Sequence, residues 1–476
     1  MSPAPSRPLT FFDKVWRDHL VRELGDGLAL VYVDRVLLHE LSGAIALEGL
    51  EAAGRTVRNP GLAFATVDHV ADTRPGRTEE TPVPDGAGFI RRLRAAAARH
   101  GVSYFDLGDP RQGIVHVISP EQGIALPGTT LVCGDSHTCT VGGVGAFGWG
   151  IGSTDGEQAL ATQTVVRARP KTMRVAVNGR LAPGVVAKDL ALHLIGQLGT
   201  AFATGYFVEF AGAAIRALDV EARLTLCNLV QEMSADTGAV APDDTVFEYL
   251  HGRPYAPAGA AWDAAVAYWR TLAGDEGAGF DRDIAFDSAE VAPQITWGTS
   301  PEHVLPIDGA VPDPAAAGNW SARAGLDRAL AYVGLKPGDR LVGLPVGAAF
   351  IGSCTNARLS DLREAAAQLD GRTVAEGVQA ICTPGSMAVK AAAEAEGLDR
   401  IFRAAGFEWR EPGCSFCISG GAGGETMAPG TRLISTTNRN FENRQGPGVI
   451  SHLASPATVA RSAVEGRIAD PRDGNR

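Results

Sequence analysis

The stretch Ala348-Ala349-Phe350-Ile351-Gly352-Ser353-Cys354-Thr355-Asn356 runs from four apolar residues into a small polar loop that carries a thiol. A short apolar run that ends at glycine is typical of a buried strand of a parallel sheet. We therefore predict a strand that delivers Cys354 to its carboxyl end, where open α/β sheets place their ligands.

Two other apolar runs end in the same way. Thr129–Cys133 leads into Gly134-Asp135-Ser136-His137, and Val378–Cys382 leads into Pro384-Gly385-Ser386. Because helical patterns separate such runs along the chain, the sequence predicts an α/β fold throughout.

Helix ends are also marked in the sequence. Ser321 is a candidate cap for a helix that Gly334 would end, and Ser360 is a candidate cap for the helix after the Cys354 loop. Serine suits this position because its hydroxyl accepts a hydrogen bond from a free backbone N–H of the first turn.

The chain length predicts about three domains, since domains average roughly 150 residues. A break falls at Arg169-Pro170-Lys171, before the alternating run Met173–Val177, and residues 301–318 are rich in Pro, Ala and Gly, as in a linker. We therefore predict three α/β domains at residues 1–170, 171–305 and 306–476.

Composition excludes several classes of partner. The formal net charge is −11 in 476 residues, which disfavours nucleic acids and anionic membranes because both require a basic surface. A small anionic substrate needs only a local group of arginines. The N-terminal residues lack the apolar core of a signal peptide and no run of about 18 apolar residues occurs. We expect a cytoplasmic protein with no membrane partner.

The strongest chemical signal comes from the cysteines. Cys354 and the Gly-Cys-Ser-Phe-Cys segment with Cys414 and Cys417 offer three thiolates, and a C-x-x-C loop lets two of them reach one metal centre. A redox pair or half of a zinc site would use the same spacing. The remaining cysteines lack any such spacing and are predicted to be small buried apolar residues; they are Cys133, Cys139, Cys227 and Cys382.

Two segments pair histidine with aspartate at the end of an apolar run, Asp68-His69 and Asp135-Ser136-His137, and His116 lies within the run Gly113-Ile114-Val115-His116-Val117-Ile118. An Asp beside a His fixes the tautomer and raises basicity, so these are candidate proton carriers. Taken singly, each is also compatible with a polar group satisfied at a strand end. The other histidines lack a comparable setting and are predicted to have surface or structural roles; they are His19, His39, His100, His193, His251, His303 and His452.

Two further segments can be interpreted either as binding sites or as ordinary structural features. Arg439 and Arg444 could clamp a dicarboxylate, or they could belong to a solvated charged loop. Gly143-Val144-Gly145-Ala146-Phe147-Gly148 matches a dinucleotide-binding pattern, but no acidic residue follows it at the distance that ribose recognition requires. We expect this glycine turn to pack beside the Asp135–His137 loop.

Together these segments resemble the aconitase superfamily, and most closely the large subunits of isopropylmalate dehydratases. The resemblance covers nearly the whole chain. Its motifs are Ala65-Thr66-Val67-Asp68-His69, Gly113-Ile114-Val115-His116, Cys133-Gly134-Asp135-Ser136-His137-Thr138, Ile351-Gly352-Ser353-Cys354-Thr355-Asn356, Pro412-Gly413-Cys414-Ser415-Phe416-Cys417, and Asn438-Arg439-Asn440-Phe441 with Arg444.

The resemblance implies three α/β domains around one [4Fe–4S] cluster per subunit, which has one open iron site and is held by Cys354, Cys414 and Cys417. It implies that protons are handled by Asp68, His69, His116, Asp135, His137 and Glu232. It implies that Asn228, Asn438, Arg439 and Arg444 contact the cluster or a small dicarboxylate substrate.

The implied reaction is the interconversion of 2-isopropylmalate and 3-isopropylmalate in leucine biosynthesis, by dehydration and rehydration. The catalytic base of the superfamily is a serine on a swivelling domain. Too few residues follow Arg444 to form that domain, so we expect a separate small subunit to supply it.

Some positions depart from the pattern of the isopropylmalate enzymes. Ile45 stands where an active-site glutamine is expected, Val70 replaces the asparagine of an Asp-His-Asn motif, and residues 138–142 and 418–421 also differ. The departures leave open a second reading, the same chemistry on a different 2-substituted malate. A third reading, RNA binding without catalysis, is disfavoured by the acidic balance.

Overall fold

The computed structural model describes residues 7–417 and 424–473, so the departure at residues 418–421 lies outside the described residues. The first region of the chain contains a five-stranded parallel sheet in the order β5-β4-β3-β6-β7 and a three-stranded antiparallel sheet in the order β1-β2-β8. The strands are β1 (Leu20–Gly25), β2 (Leu28–Tyr32), β3 (Arg35–His39), β4 (Ala63–Thr66), β5 (Ser103–Phe105), β6 (Thr130–Cys133), β7 (Phe147–Gly150) and β8 (Thr164–Ala168). The helices of this region are α1 (Phe11–His19), α2 (Gly43–Ala52), α3 (Gly86–His100), α4 (Val115–Glu121) and α5 (Ser153–Thr162).

The second sheet has four parallel strands in the order β11-β10-β9-β12. These are β9 (Lys171–Asn178), β10 (Tyr206–Ala211), β11 (Thr237–Val240) and β12 (Arg282–Asp287). The accompanying helices are α6 (Ala187–Leu198), α7 (Ala213–Arg216), α8 (Val220–Asn228), α9 (Asp244–Leu250) and α10 (Ala260–Trp269).

The third region contains an antiparallel pair, β13 with β14, and a five-stranded parallel sheet in the order β17-β16-β15-β18-β19. The strands are β13 (Gln294–Thr296), β14 (Val304–Pro306), β15 (Ala348–Ile351), β16 (Gln379–Cys382), β17 (Glu408–Trp409), β18 (Arg432–Ser435) and β19 (Ile450–Leu453). The helices are α11 (Trp320–Val333), α12 (Leu359–Leu369), α13 (Met387–Ala395), α14 (Leu398–Ala405) and, in this numbering, α15 (Pro456–Glu465).

The central strands are buried on both faces. Every residue of β4, β6 and β15 is buried, as expected where helices cover a parallel sheet from both sides. In the registered pairs Leu37 lies opposite both Phe64 and Cys133. The carboxyl ends of β3, β4 and β6 therefore meet at one edge of the first sheet.

The predicted α/β class is confirmed, whereas two predicted helix caps are wrong. The cap of α11 is Asn319, whose Oδ1 accepts a hydrogen bond from the backbone N–H of Ala322 at 2.9 Å, so Ser321 lies inside the helix. Ser360 lies inside α12, where its N–H donates to Glu221. Asn and Ser are both good caps, and only the path of the chain decides between neighbours.

The predicted linker at 301–318 is partly ordered, because β14 lies within it and pairs with β13. The structure does not test the division into three domains, although each of the three predicted segments contains one of the parallel sheets.

The four cysteines without functional spacing are buried, as predicted: Cys133, Cys139, Cys227 and Cys382. The glycine turn packs beside the Asp135–His137 loop as predicted. A Cβ atom at Gly148 would meet the carbonyl oxygen of Thr138 at 2.1 Å, so this close backbone contact requires glycine. Among residues 7–417 and 424–473, no helix is long and apolar enough to cross a membrane.

Candidate active site

The residues predicted to act in catalysis converge at the carboxyl ends of the first and third sheets. The strand order reverses between β3 and β6 in the first sheet and between β15 and β18 in the third. Ligands of α/β proteins bind at such reversal points because the loops on either side diverge and leave a crevice. Asp68 follows β4, Asp135 follows β6 and Cys354 follows β15, so these three residues lie beyond strand ends, as the sequence predicted.

A cavity of about 180 Å³ lies where these loops meet. Residues from all three regions of the chain either line it or contact its lining. The lining residues are His69, Ile114, His116, Asp135, Ser136, His137, Cys354, Cys414, Cys417, Asn438, Arg439 and Arg444.

Cys354, Cys414 and Cys417 face this cavity as free, buried thiols. Burial raises the pKa of the Cys354 thiol to about 12, and the neighbouring Cys417 adds to the effect. Burial likewise raises the pKa of Cys414 well above its ordinary value. Thiols in this state keep their protons until a metal displaces them, since the thiolate is the form that binds metal.

Several donors point at these sulfur atoms. The side-chain amide of Asn228 lies 3.3 Å from the Cys354 Sγ, and the Ser353 hydroxyl lies 3.4 Å from the Cys417 Sγ. The Nδ2 atom of Asn438 donates to the Cys354 Sγ at 3.7 Å, and Arg444 lies 3.8 Å from the Cys417 Sγ. In the other direction, the Cys417 thiol donates to the Oδ1 atom of Asn438 at 3.6 Å. Hydrogen bonds to sulfur are a usual means of tuning a bound iron–sulfur cluster.

Both cysteine loops contain a strained backbone. Ser353 has φ of 81° and Ser415 has φ of 46°, in the left-handed region that non-glycine residues rarely adopt. Strain of this kind concentrates at functional sites, where the surrounding structure holds it in place. The three converging thiols, their donors and these loops fit a [4Fe–4S] cluster with three cysteine ligands.

The predicted acid–base residues form one continuous network. His69 lies between two carboxylates, with Nδ1 at 2.5 Å from Asp68 Oδ1 and Nε2 at 2.9 Å from Asp135 Oδ2. The Nε2 atom of His116 is 3.1 Å from the other oxygen of Asp135. The backbone N–H of His137 donates to Asp135 at 2.7 Å. Asp135 thus joins all three histidines that were predicted to carry protons.

Burial and charge act against each other in this network. Burial alone would lower the pKa of His69, but Asp68 and Asp135 together raise it well above its ordinary value. Burial would raise the pKa of Asp135, but His116, His137 and His69 hold it well below its usual range. The network therefore favours a protonated imidazole held by ionised carboxylates at neutral pH.

Asn228, Glu232 and Arg439 connect the second region to the cavity. The Nε atom of Arg439 donates to Glu232 Oε1 at 2.9 Å, and the amide of Asn228 donates to the hydroxyl of Thr140 at 2.8 Å. Asn228 and Glu232 come from the end of α8 and the short turn after it. The second sheet therefore contributes to the site through residues that follow a helix instead of a strand.

Ile45 and Val70 are placed differently from the other candidates. Ile45 lies on α2 with 47% of its side chain exposed, outside the lining of the cavity. Val70 is 1% exposed and packs in a small apolar cluster with Val67, Ala71 and Ile90. A contact between Ile45 and a substrate in the cavity remains a prediction.

Three residues near the site were missed in the sequence. The imidazole of His39 stacks on that of His69, with ring centroids 4.2 Å apart, although the sequence predicted only a surface or structural role for His39. Glu40 accepts hydrogen bonds from the turn that carries His69. His39 is the last residue of β3 and Glu40 directly follows it, so the same strand-end signal could have found both. The ammonium of Lys188, which is buried in α6, donates to the carbonyls of Thr436 and Thr437. A lysine within an otherwise apolar helix was the sequence feature that could have indicated this buried contact.

Comparison with known proteins gives a consistent result. The Aconitase family (aconitate hydratase) matches residues 13–466. The 3-isopropylmalate dehydratase large subunit 1 of Bradyrhizobium diazoefficiens is 53% identical over 467 residues, which cover 98% of this chain and 97% of that protein.

Among solved structures, the holo form of aconitase X from Thermococcus kodakaraensis aligns with 90% of this chain and 89% of its own. The sequence identity is 13% and the TM-score is 0.45. The family match spans nearly the whole sequence, and the relative is similar over almost its full length. On these two grounds, this chain belongs to the aconitase family.

Proposed function

We propose that this chain is the large, cluster-carrying subunit of a hydro-lyase that interconverts 2-isopropylmalate and 3-isopropylmalate by removing and re-adding water. The observation that carries the proposal is the position of His69, held between Asp68 and Asp135 on the wall of the cavity that the three cysteines face. The name of the relative from Bradyrhizobium diazoefficiens supports the same reaction.

Cys354, Cys414 and Cys417 would hold the [4Fe–4S] cluster. When bound, the cluster supplies a Lewis acid at an iron without a protein ligand, and this polarises the substrate hydroxyl. The chain supplies the proton. His69 holds it between Asp68 and Asp135, and the substrate hydroxyl would take the place of Asp135 as the partner of Nε2. A hydroxyl that leaves with this proton departs as water.

Arginines at the cavity would bind the substrate carboxylates. Arg439 and Arg444 both line it, and guanidinium groups match carboxylates in a bidentate geometry. Glu232 already fixes the Nε atom of Arg439. The Nη2 atom of Arg439 donates to the Ser136 hydroxyl at 3.4 Å, a contact that a substrate carboxylate would replace. Asn438 and Asn228 would orient the cluster through their contacts with sulfur.

A separate small subunit would carry the swivelling domain and its serine base. The relative is named a large subunit, which supports a partner of this kind. We place the reaction in the cytoplasm, since the seven free cysteines suit a reducing compartment.

The alternative substrate, another 2-substituted malate, is favoured by one observation. Ile45 and Val70 are apolar where the isopropylmalate enzymes carry hydrogen-bonding side chains. A site that hydrogen-bonds its substrate discriminates strongly between related substrates. An apolar pocket distinguishes substrates that differ by one methylene by only about 1–3 kcal/mol.

The test is a substrate panel. The two subunits are produced together under anaerobic conditions, the cluster is reconstituted, and kcat/KM is measured for 3-isopropylmalate and for malates with other side groups. A preference for 3-isopropylmalate of roughly 100-fold or more supports the leucine-pathway reaction. A higher kcat/KM for another malate selects the alternative, and no turnover of any malate rejects both.

A further inference from the structure

Glu40 is a fully buried residue whose carboxylate accepts hydrogen bonds from the turn that carries His69. Its Oε2 atom accepts a hydrogen bond from the backbone N–H of Asp68 at 3.2 Å, and its Oε1 atom accepts one from the backbone N–H of Val70. These two N–H groups lie on either side of His69 in the chain. One side chain thus fixes the backbone both before and after the histidine.

Nothing in the described chain neutralises Glu40 by an ion pair with lysine or arginine within 4.0 Å. Its side chain is 0% exposed, and burying an unpaired carboxylate is costly. Burial and the neighbouring Asp68 raise the pKa of Glu40 to about 7, while His69 acts in the opposite direction. A carboxylate offers one acceptor oxygen to each of the two N–H groups, whereas an amide offers only one oxygen.

The residue before Glu40 contacts the other side of the site. His39 stacks on His69 with an angle of 24° between the rings, and its Nε2 lies 3.1 Å from the carbonyl oxygen of Gly134. Gly134 directly precedes Asp135. Because β3 lies between β4 and β6, the His39-Glu40 pair at its end reaches the two loops whose carboxylates hold His69.

We propose that Glu40 is a positioning residue for the reaction, because its carboxylate fixes the 68–70 turn in the geometry that keeps His69 between Asp68 and Asp135. The inference rests on the proposed function. A misplacement of about 1 Å at a reacting group costs on the order of 10²-fold in rate. The loss of the two hydrogen bonds to Glu40 should therefore lower kcat without changing the affinity for the substrate.

Three variants distinguish the effect of the two hydrogen bonds of Glu40 from the effect of its charge and from the effect of changing any buried glutamate. Glu40→Gln keeps the shape but presents an NH₂ group to one of the two N–H donors. Glu40→Asp keeps the charge but is one methylene too short to reach both donors. Glu209→Gln is the matched control, since Glu209 is also a buried glutamate whose pKa burial raises to about 7, and it lies on β10 outside the cavity lining.

Two measurements are made on each variant. Steady-state kinetics on the two-subunit enzyme should show kcat lower by about 10²-fold for both Glu40 variants with KM within roughly threefold, and no change for Glu209→Gln. Amide hydrogen exchange of the peptide that contains residues 66–72, measured on the large subunit, should be faster by about tenfold in the Glu40 variants, as expected for the loss of one hydrogen bond.

Normal kinetics in both Glu40 variants, or unchanged exchange of this peptide, would overturn the inference. An equal rise in KM and fall in kcat/KM at constant kcat would also overturn it, because that pattern reports substrate binding. If Glu40→Gln does not fold, Glu40→Asp decides. If the wild-type enzyme turns over no malate, the proposed function fails, and the exchange experiment still decides whether Glu40 fixes the turn.

Discussion

The Nε2 atom of His137 lies 2.8 Å from Oε1 of Glu232, and more than nine-tenths of each side chain is buried. Burial lowers the pKa of His137, but Asp135 and Glu232 outweigh burial and raise it to about 9. The pair links the loop after β6 to the turn after α8. This ion pair therefore connects the regions of the first and second sheets, and it is also part of the acid–base network.

This pair predicts how stability depends on pH. The pKa of His137 is higher in the folded chain than the ordinary imidazole value of 6.5, so its contribution to folding is complete below about pH 6.5 and is lost as the pH rises through about 9. Denaturant unfolding of the anaerobic large subunit should show a free energy of unfolding that falls over this interval. Glu232→Gln should flatten the fall, because His137 loses one of its two carboxylates.

Glu248→Gln serves as the control, since Glu248 is exposed on α9. A variant at Glu232 with the same pH profile as the wild type would show that the ion pair does not contribute to folding stability.

The second prediction concerns the thiols. Anaerobic reconstitution should give about four irons per chain and a brown charge-transfer absorption. Cys414→Ser should lose the cluster and all activity, because it removes one of the three thiols that face the cavity. Cys382→Ser is the matched control: this cysteine is equally buried but lies within β16. A full cluster in Cys414→Ser would refute the ligand assignment.

The third prediction concerns the proton donor. His69→Ala should lose activity by about 10²–10⁴-fold, the usual contribution of a general acid, while the absorption spectrum of the cluster stays unchanged. His251→Ala is a suitable control because its ring packs against Trp262 outside the cavity. Activity within a few-fold of wild type in His69→Ala would move the role to another histidine of the network, His137 first.

The fourth prediction is that the large subunit alone, with its cluster in place, does not turn over substrate. The residues lining the cavity include three histidines, one carboxylate (Asp135) and two arginines, whereas the proposed base belongs to the small subunit. Addition of the small subunit should restore activity with a stoichiometry of one to one. Turnover by the purified large subunit in the absence of any partner would contradict the division of labour between the subunits.

The sequence predicted the parts of the site that depend on local signals. Cys354, Asp68 and Asp135 each follow a short apolar run, and the end of such a strand is a fixed place in an α/β sheet. The sequence singles out Val70 as a departure from the family pattern, but its burial in an apolar cluster depends on contacts with residues distant in the chain.

Glu40 and Lys188 were missed for a related reason. The role of Glu40 arises only once β3 lies beside β4, and that of Lys188 only once α6 lies beneath the loop after β18. Hydrogen bonds between elements that are far apart in sequence leave no periodic pattern. The choice of Asn319 over Ser321 as a helix cap is a smaller case, since local chemistry permits either residue.

The distribution of ligands along the chain has a consequence for biosynthesis. The acid–base loops belong to the first sheet, whereas all three thiols that face the cavity lie at or after Cys354. Domains generally fold in order as the ribosome releases them, so the wall that holds His69 can form before any of the three cavity-facing thiols has emerged. The full thiol set exists only after Cys417 has left the ribosome. In the enzyme that we propose, iron can therefore be delivered to all three thiols only after Cys417 has been synthesised.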